Sequence, residues 1–161
     1  MKQLVVLLFA FFQLFSFSQK TDSVFKDLDV FDLQYVSNPQ ISPDGSVIIY
    51  RRMSFDILKD RSIGNLWIIN SDGTNHQKLT SIESSEYGAV WSPSGDRLAF
   101  ISSTEQGPEI YIYWNNSAKY ARISQLDGSP SNLAWSLNGE NLAFTMKVKT
   151  SPPVLVKMPK K

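Results

Sequence analysis

The chain has 161 residues, of which 42% are hydrophobic, 12% aromatic and 19% charged. This composition is typical of about one globular domain and excludes a disordered or fibrous chain. Sixteen Lys and Arg against fifteen Asp and Glu give a formal net charge of +1, which does not favour binding to nucleic acid or to an anionic membrane. The absence of cysteine excludes disulfides, thiolate metal sites and cysteine nucleophiles, and His76 is the only histidine.

The N-terminal stretch has the pattern of a secretory signal peptide. Met1 and Lys2 give a short positive start, residues 4–17 are almost entirely apolar, and small residues stand at Ser16 and Ser18. We therefore expect 1–18 to be a signal peptide cleaved after Ser18, and the protein to be exported to the periplasm or secreted. The apolar run is shorter than the roughly twenty residues that span a bilayer, so no stable membrane span is expected after cleavage. An uncleaved N-terminal anchor is the alternative.

Residues 19–37 form an N-terminal segment before the first repeat. Apolar residues recur there at helical spacing, which predicts one short amphipathic helix within residues 24–36. They are Phe25, Leu28, Phe31 and Tyr35. The acids of this segment lack the glycine and the distal glutamate of a calcium loop, so we interpret them as a solvated helix face.

A serine-centred repeat occurs three times along the chain. Ser42, Ser92 and Ser136 are separated by 50 and 44 residues, spacings typical of propeller blades. A turn sequence follows each serine and leads into a run of β-branched, aromatic or small residues, which predicts a hairpin. The three turns are Pro43-Asp44-Gly45, Pro93-Ser94-Gly95 and Leu137-Asn138-Gly139. The third lacks proline, but Asn-Gly is itself a strong turn signal.

A second motif follows each of the first two copies of the serine repeat, at residues 65–70 and 109–114. It predicts the later hairpin of each unit. Residues 154–158 are its counterpart in the third unit. The predicted fold class is therefore all-β: a partial β-propeller of TolB- or WD-like four-stranded blades, following a signal peptide and a short helix. We expect about two and a half blades over residues 38–161, with approximate bounds 38–87, 88–130 and 131–161. Residues 53–64 are predicted to be a loop insertion, which accounts for the longer first spacing.

Two and a half blades cannot close a ring, because each blade covers the apolar face of its neighbour. We therefore expect the chain to be truncated relative to a longer protein. The alternatives are that several copies assemble into one ring, or that the chain does not fold alone. Open blade edges are expected to self-associate.

No catalytic, cofactor-binding or metal-binding residue is predicted, and no cofactor is expected. The chain contains no Gly-x-Ser-x-Gly, no phosphate-binding glycine loop and no His-Glu-x-x-His. His76 stands in a polar turn and is expected to be exposed. Asp44, Asp72 and Asp96 recur beside turns, and turn nucleation explains them.

Aromatic residues of the repeat strands could line a groove, but packing between blades is the favoured interpretation. They are Tyr50, Trp67, Trp91, Tyr111, Tyr113, Trp114 and Trp135. Arg51 and Arg52 precede the insertion and are interpreted as a solvated basic pair, with a clamp for a ligand carboxylate as the alternative.

The order of these segments resembles the N-terminal propeller of secreted prolyl oligopeptidase family serine peptidases, in particular the bacterial acylaminoacyl-peptidase and dipeptidyl-peptidase branch. The resemblance rests on Phe31–Gly45, on Asn65-Leu66-Trp67-Ile68, on Trp91-Ser92-Pro93 and on the proline-rich residues 152–159. It covers nearly the whole chain after the signal.

This resemblance implies a non-catalytic propeller that filters peptide substrates for a hydrolase domain. The catalytic Ser, Asp and His of the family come late in the chain and have no counterpart here. Glu83 and Glu86 do not match the setting of the paired glutamates that some members use to hold a substrate amine, so the substrate-binding residues stay unknown. Peptide substrates of the missing catalytic domain are the expected partners. The alternative is a non-enzymatic, exported TolB-type propeller that acts as a protein-interaction scaffold.

Overall fold

The structure is a computed structural model that describes residues 25–148 and residue 150. The predicted signal peptide at 1–18 and the strand predicted at 154–158 lie outside the described residues. The chain divides into two units, Met1–Val30 and Phe31–Lys161, and every described strand belongs to the second. Within the described part, no helix is long and apolar enough to cross a membrane.

Among the described residues, ten strands form three antiparallel sheets, which confirms the all-β fold class. The first sheet contains β1 (Tyr35–Ile41), β2 (Val47–Asp56), β3 (Arg61–Asn70) and β4 (Gln77–Lys78) in that order. The second contains β5 (Glu86–Trp91), β6 (Arg97–Thr104), β7 (Gly107–Trp114) and β8 (Lys119–Arg122). The third pairs β9 (Pro130–Trp135) with β10 (Leu142–Met146). Each four-stranded meander has the up-and-down order of a propeller blade.

The repeated serine closes the first turn of every sheet in the same way. In the first sheet, the Gly45 amide donates to the Ser42 carbonyl at 2.9 Å, and the Ser42 hydroxyl accepts from the Val47 amide at 2.9 Å. The second sheet repeats both contacts around Ser92, and the third repeats them around Ser136 despite Leu137. The prediction that the third turn survives without proline is therefore confirmed.

A second repeated feature is a β-bulge in the first strand of each sheet. Asn38, Gly88 and Asn132 each precede the repeat serine by four residues and have φ of 51°, 64° and 53°. Asn and Gly tolerate this left-handed conformation better than other residues do. The bulge shifts the register of the first strand against the second, between Ser37 and Gln40 in the first sheet and between Tyr87 and Val90 in the second.

The hydrophobic core lies between successive sheets. Ile49, Leu66 and Ile68 of the first sheet pack against Leu98 and Phe100 of the second. The opposite face of the second sheet, which includes Ala99, Ile101, Ile110 and Ile112, packs against Leu133, Trp135 and Leu142 of the third. Both faces of the second sheet are therefore covered by a neighbouring sheet, as they are in a propeller.

Two predicted elements differ from the structure. The amphipathic helix predicted within residues 24–36 is a six-residue 3-10 helix, Asp27–Asp32, without a buried residue. It cannot continue because Tyr35 and Val36 are extended and pair with Met53 and Arg52 of β2.

The predicted loop at residues 53–64 is also wrong. Strands β2 and β3 stay in register as far as Asp56 and Arg61, joined by the 3-10 helix Ile57–Lys59. The Asp56 carboxylate caps that short helix by accepting from the Lys59 amide at 3.3 Å. The insertion therefore lengthens the central hairpin of the first sheet.

Candidate functional site

Arg51 and Arg52 do not form the solvated basic pair that the sequence suggested. They are consecutive residues of β2, and successive side chains of a strand point to opposite faces of the sheet. Arg51 therefore enters the interface with the second sheet, whereas Arg52 lies on the outer face of the first sheet. Both are half-buried.

Arg51 ties the first sheet to the second. Its Nε donates to the Glu86 carbonyl at 2.8 Å, one terminal nitrogen donates to the Ser85 hydroxyl at 3.0 Å, and the guanidinium lies 5.8 Å from the centre of the Tyr87 ring. Gly64 provides the space, because a Cβ there would lie 2.2 Å from Arg51 Nε. Arg51 is thus engaged in a contact between sheets.

An aromatic–cationic cluster, formed by Gln34, Tyr50, Arg52, Trp67 and His76, lies on the outer face of the first sheet. Arg52 lies 4.6 Å from the centre of the Trp67 ring and donates from Nε to the Gln34 side-chain oxygen at 2.6 Å. The Tyr50 hydroxyl is hydrogen-bonded to His76 Nε2, and the His76 and Trp67 ring centres are 5.2 Å apart. Tyr50 and Trp67 are direct cross-strand partners, which brings their rings to the same face.

This placement corrects part of the prediction for the aromatic residues. Tyr113 is buried, and Trp91, Tyr111, Trp114 and Trp135 pack against the two core clusters, as predicted. Tyr50 and Trp67 instead face away from the second sheet, because they alternate with the core residues of their own strands. His76 is exposed as expected, but it contacts aromatic rings rather than solvent alone.

The chemistry that this cluster offers is suited to binding. A shallow groove of about 230 Å³ beside it is lined by Gln34, Arg52, Ser54, Asn65 and Trp67. The guanidinium can donate to a carbonyl or a carboxylate, and the rings offer apolar contact. The contacts described for His76 include neither a serine hydroxyl nor a carboxylate, so no triad forms there. Among the described residues, no group of His, Asp and Glu could hold a metal ion.

The turn aspartates nucleate turns, as the sequence indicated. Asp44 accepts from the Ser42 hydroxyl at 2.6 Å and from the Ser46 amide at 3.1 Å, and the Ser42 hydroxyl is the largest cause that lowers the Asp44 pKa to about 2. Hydrogen bonds from Thr74 lower the pKa of Asp72, and those from Ser94 and Ser92 lower that of Asp96.

Sequence reasoning missed the structural role of Glu86. Its side chain is buried at the interface of the first and second sheets, where Oε2 accepts from the Leu66 amide at 3.0 Å and Oε1 accepts from the Thr80 hydroxyl. Burial raises the pKa of Glu86, and the hydrogen bonds from Thr80 and Leu66 oppose that shift. Glu86 therefore links two sheets and is not placed to hold a substrate amine.

The glutamate at position 86 is not repeated in the third sheet. Pro130 stands at the repeat position of Glu86 and cannot accept a side-chain hydrogen bond. Glu109 of β7 instead accepts from the Ser124 hydroxyl and from the Leu126 amide at 3.1 Å. Glu109 thus ties β7 to the segment that follows β8 of its own sheet.

Two curated bacterial peptidases are similar to the chain in sequence. Dipeptidyl-peptidase 5 of Porphyromonas gingivalis is 34% identical over 71 residues, which is 44% of this chain and 10% of that protein. The uncharacterized peptidase YuxL of Bacillus subtilis is 32% identical over 85 residues, which is 52% of this chain and 13% of that protein. The matches therefore span about a tenth of these relatives. No protein-family profile matches the chain.

Two solved structures show the same fold. The acylaminoacyl peptidase of Pyrococcus horikoshii superposes with a TM-score of 0.63 at 14% identity, covering 80% of this chain and 20% of that one. The β-propeller domain of the trilobed protease of Pyrococcus furiosus superposes with a TM-score of 0.56 at 18% identity, covering 69% of this chain and 33% of that one.

The sequence relatives are peptidases, and the sheets are those of a β-propeller. Both findings agree with the order of segments from which the resemblance was drawn. The findings therefore support the similarity of the chain to the N-terminal propeller of prolyl oligopeptidase family peptidases.

Proposed function

We propose that the chain belongs to the substrate-gating propeller of an exported serine peptidase that removes short units from peptide N-termini. The observation that carries the proposal is the 71-residue match, at 34% identity, to a protein named dipeptidyl-peptidase 5. The described residues of this chain supply blades and no catalytic triad, which suits a filter rather than a catalytic centre. The serine, aspartate and histidine would come from a hydrolase domain outside this chain.

The test begins with the native protein, captured from its source cells with an antibody raised against residues 53–64. This hairpin tip is a suitable epitope because Leu58 is 96% exposed. The captured protein should react with a fluorophosphonate probe and release short N-terminal units from unblocked peptides. The 161-residue chain expressed alone should not react. An unreactive native protein, or stoichiometric labelling of the chain alone, would contradict the proposal.

A gating role predicts selectivity for short peptides over folded proteins, which peptidase activity alone does not predict. Short peptides should be cleaved, whereas a folded protein with the same N-terminal residues should be spared. Unfolding that protein should then restore cleavage. Equal rates on the folded and the unfolded forms would argue against a filter while leaving the peptidase assignment intact. An absence of any hydrolase activity would instead favour the non-enzymatic scaffold, which no feature of the described residues specifically supports.

Export is also part of the proposal. The apolar stretch at residues 4–17 and the small residues at Ser16 and Ser18 support cleavage by a signal peptidase. N-terminal sequencing of the protein from the periplasm or the medium should begin at Gln19. A native protein that begins at Met1 and fractionates with membranes would point to a retained anchor.

A further inference from the structure

Three buried polar side chains form a row across the second sheet. Ser102 of β6 is the direct cross-strand partner of Glu86 in β5 and of Glu109 in β7. Directly paired residues project from the same face of a sheet, with their Cβ atoms about 4.5–5.5 Å apart. The exposed fraction is 0% for Glu86, 0% for Ser102 and 3% for Glu109. These three residues are called the Glu–Ser–Glu row below.

The Ser102 hydroxyl has no hydrogen-bond partner among the described residues, although a carboxylate stands on either side of it. An unpartnered buried hydroxyl is rare in proteins, because its loss of hydration is not compensated. Ser102 follows Phe100 by two positions on β6 and shares its face, which packs against the first sheet. The hydroxyl is therefore enclosed at the junction of the two sheets.

The two carboxylates are held by other groups and keep acceptor capacity. Glu86 accepts from the Leu66 amide at 3.0 Å, and Glu109 accepts from the Leu126 amide at 3.1 Å. The second oxygen of each carboxylate accepts from a hydroxyl. A carboxylate has about four lone-pair sites, so each of these oxygens can accept one more hydrogen bond. The row thus combines one unused donor with unused acceptors on both sides.

We propose that an ordered water molecule binds in the middle of the Glu–Ser–Glu row. The water accepts a hydrogen bond from the Ser102 hydroxyl and donates one to a carboxylate oxygen of Glu86 and one to a carboxylate oxygen of Glu109. Buried waters typically form about three hydrogen bonds to groups that would otherwise be unsatisfied, and the row offers that number. A bridging water is nearly as favourable as a direct hydrogen bond between groups that do not reach each other.

The short serine side chain provides the space for this water. The residues at the repeat position of Ser102 are Arg52 in the first sheet and Met146 in the third, and both have long side chains. A Ca²⁺ ion would need six to eight oxygen ligands, whereas the oxygens of both glutamates already accept hydrogen bonds from the protein. A single water therefore suits the row better than a cation. The inference does not depend on the proposed peptidase function.

The water would join two contacts that are otherwise separate. Glu86 ties the first sheet to the second through Leu66, and Glu109 ties β7 to the segment that follows β8 through Leu126. With the water in place, one hydrogen-bonded network extends from the Leu66 amide to the Leu126 amide. Removal of the Ser102 hydroxyl should therefore loosen both contacts.

A high-resolution crystal structure of the native protein tests the inference without any substitution. Electron density should show a peak about 2.6–3.2 Å from the Ser102 Oγ and from one carboxylate oxygen of each glutamate. Distances of about 2.3–2.6 Å to these oxygens would identify a cation and overturn the inference. A direct hydrogen bond between Ser102 and either glutamate, or no peak within hydrogen-bond distance of Ser102, would overturn it as well.

Hydrogen exchange of the native protein tests the network in solution. Ser102→Ala should speed exchange at both the Leu66 and the Leu126 amides several-fold, because both carboxylates lose the water that restrains them. Ser103→Ala is the matched control, since Ser103 is the next residue of β6 and points to the opposite face. Circular dichroism confirms that both variants keep their β structure.

The direction of the change separates a water site from a merely unsatisfied hydroxyl. Removing an unsatisfied hydroxyl would leave exchange at Leu66 and Leu126 unchanged or make it slower, and either result would overturn the inference. Faster exchange at only one of the two amides would also overturn it, because the water is inferred to bridge both carboxylates. An equal effect of Ser103→Ala would do the same.

Discussion

Replacing Glu86 tests how strongly the first two sheets are held together. In Glu86→Ala, the Leu66 amide and the Thr80 hydroxyl both lose their acceptor in a buried place. An unsatisfied buried group costs about 1–3 kcal/mol, so the free energy of unfolding should fall by about 2–5 kcal/mol. Glu86→Gln keeps one acceptor oxygen for the Leu66 amide and can donate to the Thr80 hydroxyl. It should therefore cost less than about 1.5 kcal/mol.

The assay combines urea unfolding with hydrogen exchange at the Leu66 amide. Glu86→Ala should lower the urea midpoint and speed exchange at Leu66, whereas Glu86→Gln should stay close to the wild type. The argument would be refuted if the alanine variant unfolded within about 0.5 kcal/mol of the wild type. The argument would also fail if Glu86→Ala and Glu86→Gln lowered the free energy of unfolding equally. The loss would then come from the packing of the buried side chain and not from its hydrogen bonds.

The pH dependence follows from the raised pKa of Glu86. The folded state favours the protonated acid, so this stabilising contribution is complete below the unfolded-state pKa of about 4.5 and is lost as the pH rises through the higher folded-state pKa. Glu86→Gln cannot ionise at this position. The variant should therefore gain stability relative to the wild type between pH 4 and neutral pH, and a constant difference across this range would contradict a raised pKa.

Three further predictions concern other parts of the repeat. Phe100→Ala removes a fully buried ring and should cost about 3–5 kcal/mol in urea unfolding, whereas Phe144→Ala, at the equivalent and 39% exposed position of the third sheet, should cost clearly less. Equal losses would show that the side chain at this repeat position is packed as well in the third sheet as in the second. Ser42→Ala should raise the Asp44 pKa from about 2 toward its ordinary value in an NMR titration, and an unchanged midpoint would mean that the Ser42 hydroxyl is not the main cause. Gly95→Ala should cost more than about 1 kcal/mol, because φ is 73° and the added Cβ would lie 3.2 Å from a proline ring, and a neutral effect on the unfolding midpoint would show that the turn relaxes freely.

Local sequence signals predicted the repeated hairpins well. The turn depends on the serine hydroxyl, on a glycine with positive φ and on residues close in sequence. Each copy of the repeat therefore contains the residues that predict the turn. The bulges were overlooked although their signal was present, since Asn38, Gly88 and Asn132 occupy one repeat position. The opposite directions of Arg51 and Arg52 also follow from strand alternation alone.

Contacts between sheets were much harder to predict. Glu86 accepts from the amide of Leu66, which lies twenty residues earlier in a different sheet, and from the hydroxyl of Thr80, six residues earlier. The residues next to Glu86 in sequence do not indicate that it is buried. The long hairpin between β2 and β3 was missed because polar residues at its tip resemble a loop, whereas the pairing of Asp56 with Arg61 depends on register set farther down the strands. The cluster around Tyr50 and Trp67 likewise depends on cross-strand pairing.

The mass of the native polypeptide that reacts with a serine-hydrolase probe is the most direct test of the central claim. The protein is captured from its source cells through residues 53–64, labelled with a fluorophosphonate and measured intact. We expect a labelled species several-fold heavier than 18.2 kDa, because the sequence matches span only about a tenth of each peptidase relative. An unlabelled species no heavier than 18.2 kDa would contradict the assignment to a peptidase.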